Sequence, residues 1–148
     1  MGAAENQERA FIRRVVENGE RDVAVTTNPL AKTLGMVIRE AAEGRVVASF
    51  HAGADWTQGN GVVQGGIVSA MLDFGMVFAV FSTIGAGTTI ATLSQTTNYL
   101  RPAPAGNFTV EGAVDRTGRT VAHARAALFD AAGRQVATAI APFAVLVE

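Results

Sequence analysis

The sequence contains no cysteine among its 148 residues. This absence excludes disulfide bonds, thiolate metal sites and cysteine nucleophiles. Histidine is almost as rare: only His51 and His123 are present, and neither has the spacing or the neighbouring carboxylates typical of a metal site. We therefore predict no metal and no cofactor, and we expect both histidines to be structural.

A surplus of charge of either sign is also missing. Lysine and arginine number 12 against 13 aspartates and glutamates, for a formal net charge of −1. Without a basic surplus, the broad phosphate-neutralising surface of a nucleic-acid binder is not expected. The first twenty residues are charged and contain no apolar h-region, so no secretory signal is predicted and a cytoplasmic location is expected. The hydrophobic share of 49% suits one compact domain.

Long apolar runs are limited to residues 67–84, and Asp73 interrupts that run. The length approaches the ~20 residues that a bilayer requires, but a central aspartate costs roughly 2.5–3.5 kcal/mol on insertion scales. We therefore predict a helix enclosed by protein, and no membrane association.

The rest of the chain has the pattern of a helix followed by strands. An apolar stripe predicts a helix over residues 5–18, and the long apolar helix is predicted at 66–84. Period-two alternation and turn residues predict strands at 34–41, 45–52, 88–100, 107–117, 119–130 and 134–147. Hairpin connections imply an antiparallel sheet whose concave face is covered by the long helix, an α+β arrangement.

Gly65 and Gly66 stand at the predicted start of this helix. The first backbone N–H groups of a helix have no partner within it, and the helix dipole adds positive charge there, so such an end can hold an oxyanion. The alternative is that the glycines only permit a tight turn. Asp73 is either a functional acid whose pKa is raised by burial or a structural one, capped by Ser69 or paired with an arginine.

Eight residues separate Gly65 from Asp73, or about 12 Å along a helix at 1.5 Å per residue. One helix cannot easily bring both groups to the same carbonyl. A two-fold dimer could do so, by placing the helix start of one chain near Asp73 of its partner.

Residues 58–66, QGNGVVQGG, together with Asp73 and the downstream NYLRPAPAG, resemble the hotdog-fold acyl-CoA thioesterases, in particular the phenylacetate-pathway and 4-hydroxybenzoyl-CoA thioesterase group. The resemblance covers residues 30–147. It implies an antiparallel sheet wrapped around a long central helix, in a homodimer or a homotetramer built as a dimer of dimers. We expect residues 1–29 to form an N-terminal helix and lead-in, and residues 30–148 to form a single thioesterase domain.

The resemblance also implies roles for individual residues. The N–H of Gly65 would hold the thioester oxygen, and Asp73 of the facing subunit would act as nucleophile or general base. Gln58 would orient the carbonyl or a water. Gln64 stands where many relatives have histidine, so it can form hydrogen bonds but cannot titrate. Further candidate substrate-binding residues are Gly66, Ser69, Trp56, Arg101, Arg119 and Thr120.

Among these candidates, Arg101 and Arg119 are expected at strand ends, where they could bind CoA phosphates. Trp56 could line the acyl pocket or cap the loop, and the alternative, which we favour, is that it packs in the core. Thr92 could orient water, and Tyr99 is expected to be structural.

The predicted function is hydrolysis of an acyl-CoA thioester. Two alternatives remain open at this point: a non-catalytic acyl-CoA-binding module, and a hotdog enoyl-CoA hydratase. The hydratase would need a base that is not evident, because neither histidine lies in the loop or on the helix. A serine hydrolase is not favoured, since no G-x-S-x-G elbow is present and Ser69 has no histidine beside it in the sequence.

Overall fold

The N-terminal helix predicted from the apolar stripe is present. The computed structural model describes residues 4–147, and in it α1 spans Gln7–Asn18. Asn6 caps α1, because its side-chain oxygen accepts hydrogen bonds from the N–H groups of Glu8 and Arg9, each at 3.0 Å. Gly19 ends the helix in a left-handed conformation, with φ of 61°.

Three short elements were not predicted. They are β1 (Val23–Ala24), α2 (Pro29–Thr33) and a 3₁₀ turn (Ala54–Trp56). The start of α2 carries the usual signals of a helix N-terminus. Pro29 is the first helical residue, and the Asn28 side chain accepts a hydrogen bond from the N–H of Ala31 at 3.1 Å. The predicted domain boundary between residues 29 and 30 falls inside this helix and stays a prediction.

One antiparallel sheet contains all the strands. Besides β1, these are β2 (Val37–Ala42), β3 (Arg45–Ala52), β4 (Thr88–Thr92), β5 (Thr96–Tyr99), β6 (Gly106–Thr117), β7 (Val121–Phe129) and β8 (Gln135–Val147). The order across the sheet is β1-β2-β3-β6-β7-β8-β4, and β5 also pairs with β8. The hairpins predicted from the turn residues, β2–β3, β6–β7 and β7–β8, are confirmed.

The prediction of one continuous strand over residues 88–100 is wrong. The strand is interrupted at residues 93–95, opposite Pro142 of β8. Pro142 accepts a hydrogen bond from the N–H of Leu93 at 3.0 Å but has no N–H to return one. At the interruption, the amide of Gln95 instead donates to the carbonyl of Ser69 at 3.1 Å. The edge of the sheet is therefore divided into β4 and β5.

The long apolar helix, α3, spans Gly65–Phe81 and lies against the concave face of the sheet. Its large side chains are almost all buried, and α1 packs on it through an edge-to-face contact between Phe11 and Phe78, whose ring centroids are 6.1 Å apart. In the part of the chain that the structure describes, no helix is long and apolar enough to span a bilayer. The predicted α+β arrangement is confirmed.

Two arginines of α1 secure the end of α3. Arg9 Nε donates to the carbonyl of Ile84 at 2.8 Å, and Arg13 donates to the carbonyl of Ser82 at 2.6 Å. Carbonyl groups at a helix C-terminus lack intrahelical partners, so these bonds satisfy them and fix α1 relative to α3.

Two glycines allow α3 to approach the sheet unusually closely. A Cβ atom at Gly112 of β6 would lie 2.1 Å from the carbonyl oxygen of Gly75, and a Cβ at Gly75 would lie 2.6 Å from Val110. Only glycine fits at this contact, which lies two residues beyond Asp73. The depth of Asp73 relative to the sheet is therefore set by backbone contact.

Candidate active site

The start of α3 opens into a groove of about 600 Å³. Its polar lining is provided by Gln58, Gly65, Gly66, Tyr99 and Arg101. Among residues 4–147, none accepts a hydrogen bond from the N–H of Gly65 or Gly66, and the side chain of the N-cap residue, Gln64, does not bond to them. The helix start therefore presents the unpaired donors that an oxyanion requires.

The loop before α3 is held by its own backbone. Gln58 donates its N–H to the carbonyl of Val62 at 2.8 Å and accepts from the N–H of Gly61 at 3.0 Å. Gly61 has φ of 78°, a conformation that glycine adopts without strain. Trp56 is half-buried against the core, and its carbonyl accepts from the N–H of Gln64 at 2.8 Å. Trp56 thus packs the loop that carries Gln58 and Gln64.

Tyr99, for which only a structural role was predicted, lines this groove. Its hydroxyl donates to the carbonyl of Gly65 at 2.9 Å, and the hydroxyl of Ser69 lies 2.9 Å from it. Ser69 also lies 3.1 Å from the hydroxyl of Thr97. Period-two alternation places Thr97 and Tyr99 on one face of β5, and that pattern was the available signal.

Asp73 lies in the middle of α3, half-buried beside β4. It lines a separate depression of about 210 Å³. The hydroxyl of Thr92 donates to Asp73 Oδ1 at 3.0 Å. Burial raises the pKa of the Asp73 carboxyl, and the hydrogen bond from Thr92 opposes this by lowering it.

Neither structural explanation weighed for Asp73 is found. Ser69 bonds to Tyr99 and Thr97 rather than to the carboxylate, and no ion pair between Asp73 and a described arginine or lysine is present. A partly buried carboxylate with one hydroxyl donor and no cation is costly to keep for structure alone. Acids of this kind concentrate at functional sites.

The groove at Gly65 and the depression at Asp73 share no lining residue. Both open beside the strands that form one edge of the sheet, β4 and β5. Within one chain, the helix donors and the acid are therefore not brought to a common point, as the eight-residue spacing predicted.

The two predicted phosphate-binding arginines lie at different ends of the molecule. Arg101 lines the groove at Gly65. Arg119 and Thr120 lie in the turn between β6 and β7, where the carbonyl of Thr120 accepts from the N–H of Val145 at 2.9 Å. Val145 pairs with Ile90, a residue that lines the Asp73 depression. Their roles toward CoA stay predictions.

Both histidines lie outside the groove and the depression. His51 is exposed, and its Nδ1 lies 2.8 Å from Asn107 Oδ1; His123 is exposed on β7. In residues 4–147, no group of three or more histidines and carboxylates is arranged to hold a metal ion. No imidazole base is therefore near Asp73 in the chain.

Comparison with known proteins assigns the family. The family model described as the thioesterase superfamily matches residues 60–137, more than half of the chain, including the end of the loop, all of α3 and the strands as far as the start of β8. The chain belongs to the thioesterase superfamily. A candidate esterase of Saccharolobus solfataricus is 30% identical to this chain over 115 residues, which cover 78% of this chain and 81% of the relative.

Solved structures show that the fold is the hotdog fold of that family. A thioesterase family protein from Silicibacter pomeroyi aligns with a TM-score of 0.80 and 28% identity, over 95% of this chain and 99% of that one. A candidate thioesterase of Ralstonia eutropha, described as related to phenylacetic acid degradation, gives 0.77 and 33%, over 81% and 92%. The fold also matches a Streptococcus mutans protein solved with acetyl-CoA, with a TM-score of 0.70 and 20% identity over 76% and 90%.

Proposed function

We propose that this protein hydrolyses acyl-CoA thioesters to a free acid and CoA. The observation that carries the proposal is the half-buried carboxylate of Asp73, which has no cation beside it and lies on the same helix as the unpaired N–H groups of Gly65 and Gly66. Thioester hydrolysis needs both components: donors for the developing oxyanion, and a group that attacks the carbonyl or activates water.

Two routes use the same residues. In the first, the Asp73 carboxylate attacks the carbonyl carbon, and the C–S bond breaks to give a mixed anhydride and CoA thiolate, which takes a proton from water. A water molecule then hydrolyses the anhydride, which releases the free acid and regenerates the Asp73 carboxylate. In the second, Asp73 accepts a proton from water as the water attacks, and CoA leaves as a thiol after protonation. In both, Gly65 N–H stabilises the oxyanion, and Thr92 holds Asp73 in one orientation. The raised pKa of Asp73 makes it a stronger base.

The proposed roles of the other site residues follow from where they lie in the groove, in the loop and at the strand ends. Gln58 and Gln64 supply amides near the carbonyl, and Gly66 adds a second backbone donor. Ser69 positions the helix start through Tyr99, and Trp56 supports the loop. Arg101, Arg119 and Thr120 are proposed to contact the CoA portion, since long cations at strand ends can reach phosphate. CoA is part of the substrate, and no separate cofactor is proposed.

The site is proposed to be completed across a two-fold dimer, which could pair again into a tetramer. The edge formed by β4 and β5 pairs only with β8 in the described chain, and large apolar side chains are exposed on or near it. Leu93 is 58% exposed and Leu100 54%. Unpaired sheet edges and exposed apolar patches are typical of association surfaces. Such a dimer would place Gly65 of one chain near Asp73 of the other.

The choice of CoA ester rests on the family, on the arginine in the groove and on the ligand of the Streptococcus mutans protein. Residues 30–148 are proposed as the thioesterase domain, with residues 1–29 as the helical lead-in. The acyl group is to be found by assay, with phenylacetyl-, benzoyl- and medium-chain acyl-CoA as the first substrates.

The test is the variant Asp73→Asn, which preserves shape and removes the charge. We expect kcat to fall by about 10²–10⁴-fold while the fold is retained, because the variant can neither attack nor accept a proton. The matched control is Asp55→Asn, an exposed aspartate outside both the groove and the depression. Unchanged turnover in Asp73→Asn would overturn its role, and binding of CoA esters without turnover by the wild type would favour a binding module instead.

A further inference from the structure

The first turn of α1 forms a wall of the Asp73 depression. Its polar lining, apart from Asp73 itself and the threonines of β4, comes from Asn6, Glu8 and Asn28. The remaining lining is apolar and is provided by Phe74, Val77, Phe81 and Ile90. The depression therefore has one apolar side and one polar side, and the polar side carries two carboxylates, those of Asp73 and Glu8.

Glu8 is held in place by its neighbours. Asn28 Nδ2 donates to Glu8 Oε1 at 2.8 Å, and Asn28 is itself fixed as the cap of α2. Asn6 Nδ2 donates to the hydroxyl of Thr89 at 3.0 Å, which ties the start of α1 to β4. No described donor meets the second carboxylate oxygen of Glu8, so it is available to accept a hydrogen bond.

The charges around the depression have one sign. Glu8 and Asp73 both line it, and none of its described lining residues is a lysine or an arginine. The nearest arginine along α1, Arg9, is engaged with Glu5 and with the carbonyl of Ile84. A ligand carboxylate placed here would meet two carboxylates in a partly desolvated space, which is strongly unfavourable. A neutral group that carries an O–H or N–H could instead donate to Glu8.

The volume of the depression limits the size of the acyl group that it can hold. At about 210 Å³, the depression has the space of about seven waters at ~30 Å³ each. It suits a short acyl chain or a single ring, with the apolar part against Phe74 and Ile90 and a polar end toward Glu8.

We propose that Glu8 determines acyl specificity: it selects acyl groups that end in a neutral hydrogen-bond donor and rejects those that end in a carboxylate. This inference rests on the proposed function, since it takes the depression beside Asp73 as the acyl site. Glu8 contacts the far end of the acyl group and takes no part in bond cleavage.

The test compares three acyl-CoA esters with the same five-carbon chain: pentanoyl-CoA, the terminally hydroxylated pentanoyl-CoA, and glutaryl-CoA. For the wild type we expect kcat/KM to decrease in the order hydroxypentanoyl, pentanoyl, glutaryl. Glu8→Gln keeps the size and the bond from Asn28 but removes the charge, so the glutaryl-to-pentanoyl ratio of kcat/KM should rise by about 10-fold or more. The preference for the hydroxyl should also weaken.

The matched control is Glu17→Gln, an exposed glutamate at the other end of α1 that lies outside the depression. It should leave both ratios unchanged. Identical ratios in wild type and Glu8→Gln would overturn the specificity role even if all three esters are hydrolysed. If the wild type hydrolyses none of the esters, the proposed function fails, and the same ratios measured as Kd by calorimetry decide the role of Glu8. Absence of binding by all three would overturn both.

Discussion

The start and the middle of α3 offer opposite chemistry. At the start, Gly65 and Gly66 present backbone donors at the mouth of a wide groove, and Arg101 adds positive charge. In the middle, Asp73 and Glu8 present negative charge in a depression of about one third of that volume. One region is suited to an oxyanion and a phosphate, and the other to a nucleophile and a neutral acyl group. The helix start supplies the hydrogen-bond donors, and the middle of the helix supplies the carboxylate.

The two regions also differ in what holds them. The donors at the helix start are positioned by backbone hydrogen bonds of the loop and by the Tyr99 hydroxyl. Asp73 is positioned by the backbone contact of α3 with the sheet and by one side-chain bond from Thr92. A substitution in one region should therefore leave the structure of the other unchanged. The two regions can then be inactivated in separate chains, and the chains can be brought together in one dimer.

The largest effect is expected when the helix start is inactivated in one chain, Asp73 is inactivated in another, and the two chains are combined in one dimer. Gly65→Pro removes the N–H donor at a position where proline is compatible with a helix, and should lower kcat by about 10²–10³-fold. Asp73→Asn should lower kcat by about 10²–10⁴-fold for the reason given above. If sites are shared across a two-fold axis, mixing and refolding the two variants creates mixed dimers with one intact site each, and about a quarter of the wild-type activity should return.

The control for this experiment is Gly65→Ala, which keeps the N–H and should retain most of the activity. Each variant refolded alone gives the baseline. Activity that stays at that baseline after mixing, with mixed dimers demonstrated by mass spectrometry of tagged chains, would show that the donors and the acid do not combine across subunits.

A smaller effect is expected for Tyr99→Phe, which affects only the helix start. The variant loses the hydrogen bond to the Gly65 carbonyl but keeps the ring, so the donors should be less well oriented. We expect kcat to fall by about 5–20-fold with KM nearly unchanged. Ser69→Ala removes one partner of the Tyr99 hydroxyl and should have a weaker effect of the same kind. An increase in KM alone would mean that Tyr99 serves substrate binding rather than positioning.

The smallest effect is expected for the pH dependence at the middle of α3. The carboxylate is the reactive form of Asp73 on both proposed routes, so activity should fall as the pH is lowered through its pKa. Thr92→Val removes the bond that lowers this pKa, and the acid limb of the kcat profile should move to higher pH. An unmoved or oppositely shifted limb would contradict the assignment of that limb to Asp73.

The raised pKa of Asp73 has a matching consequence for stability. A carboxyl whose pKa is higher in the folded state than in the unfolded state binds its proton more tightly when folded. The resulting stabilisation is fully present below the unfolded pKa and is lost as the pH rises through the folded pKa.

Local signals were sufficient for much of the fold. The turn residues at 43–44 and 117–118 predicted two of the hairpins, and the apolar run predicted α3 to within three residues at its C-terminal end. The interruption of the edge strand was missed because its cause, Pro142, lies on a partner strand far along the chain. Register between distant strands is not encoded by the pattern of either strand alone.

The candidate site was predicted only where its residues are close in sequence. The loop and α3 gave Gly65, Gln58 and Asp73, but the contribution of Glu8 depends on packing of α1 against β4. The start of α1, which carries Glu8, is tied to β4 by the hydrogen bond between Asn6 and Thr89, which are 83 residues apart. Tyr99 was missed for a similar reason, since its function depends on contact with a helix that begins 34 residues earlier.

The contact between Gly75 and Gly112 limits how this protein could be redesigned. Because the helix and sheet backbones already touch there, α3 cannot move closer to β6, and neither glycine lines the Asp73 depression. A larger acyl group could be accommodated only by altering the walls contributed by α1 and β4 and the α3 side chains that face them, such as Val77 and Phe81. Variation in substrate size among engineered forms should therefore map to those walls, while the two glycines stay unchanged.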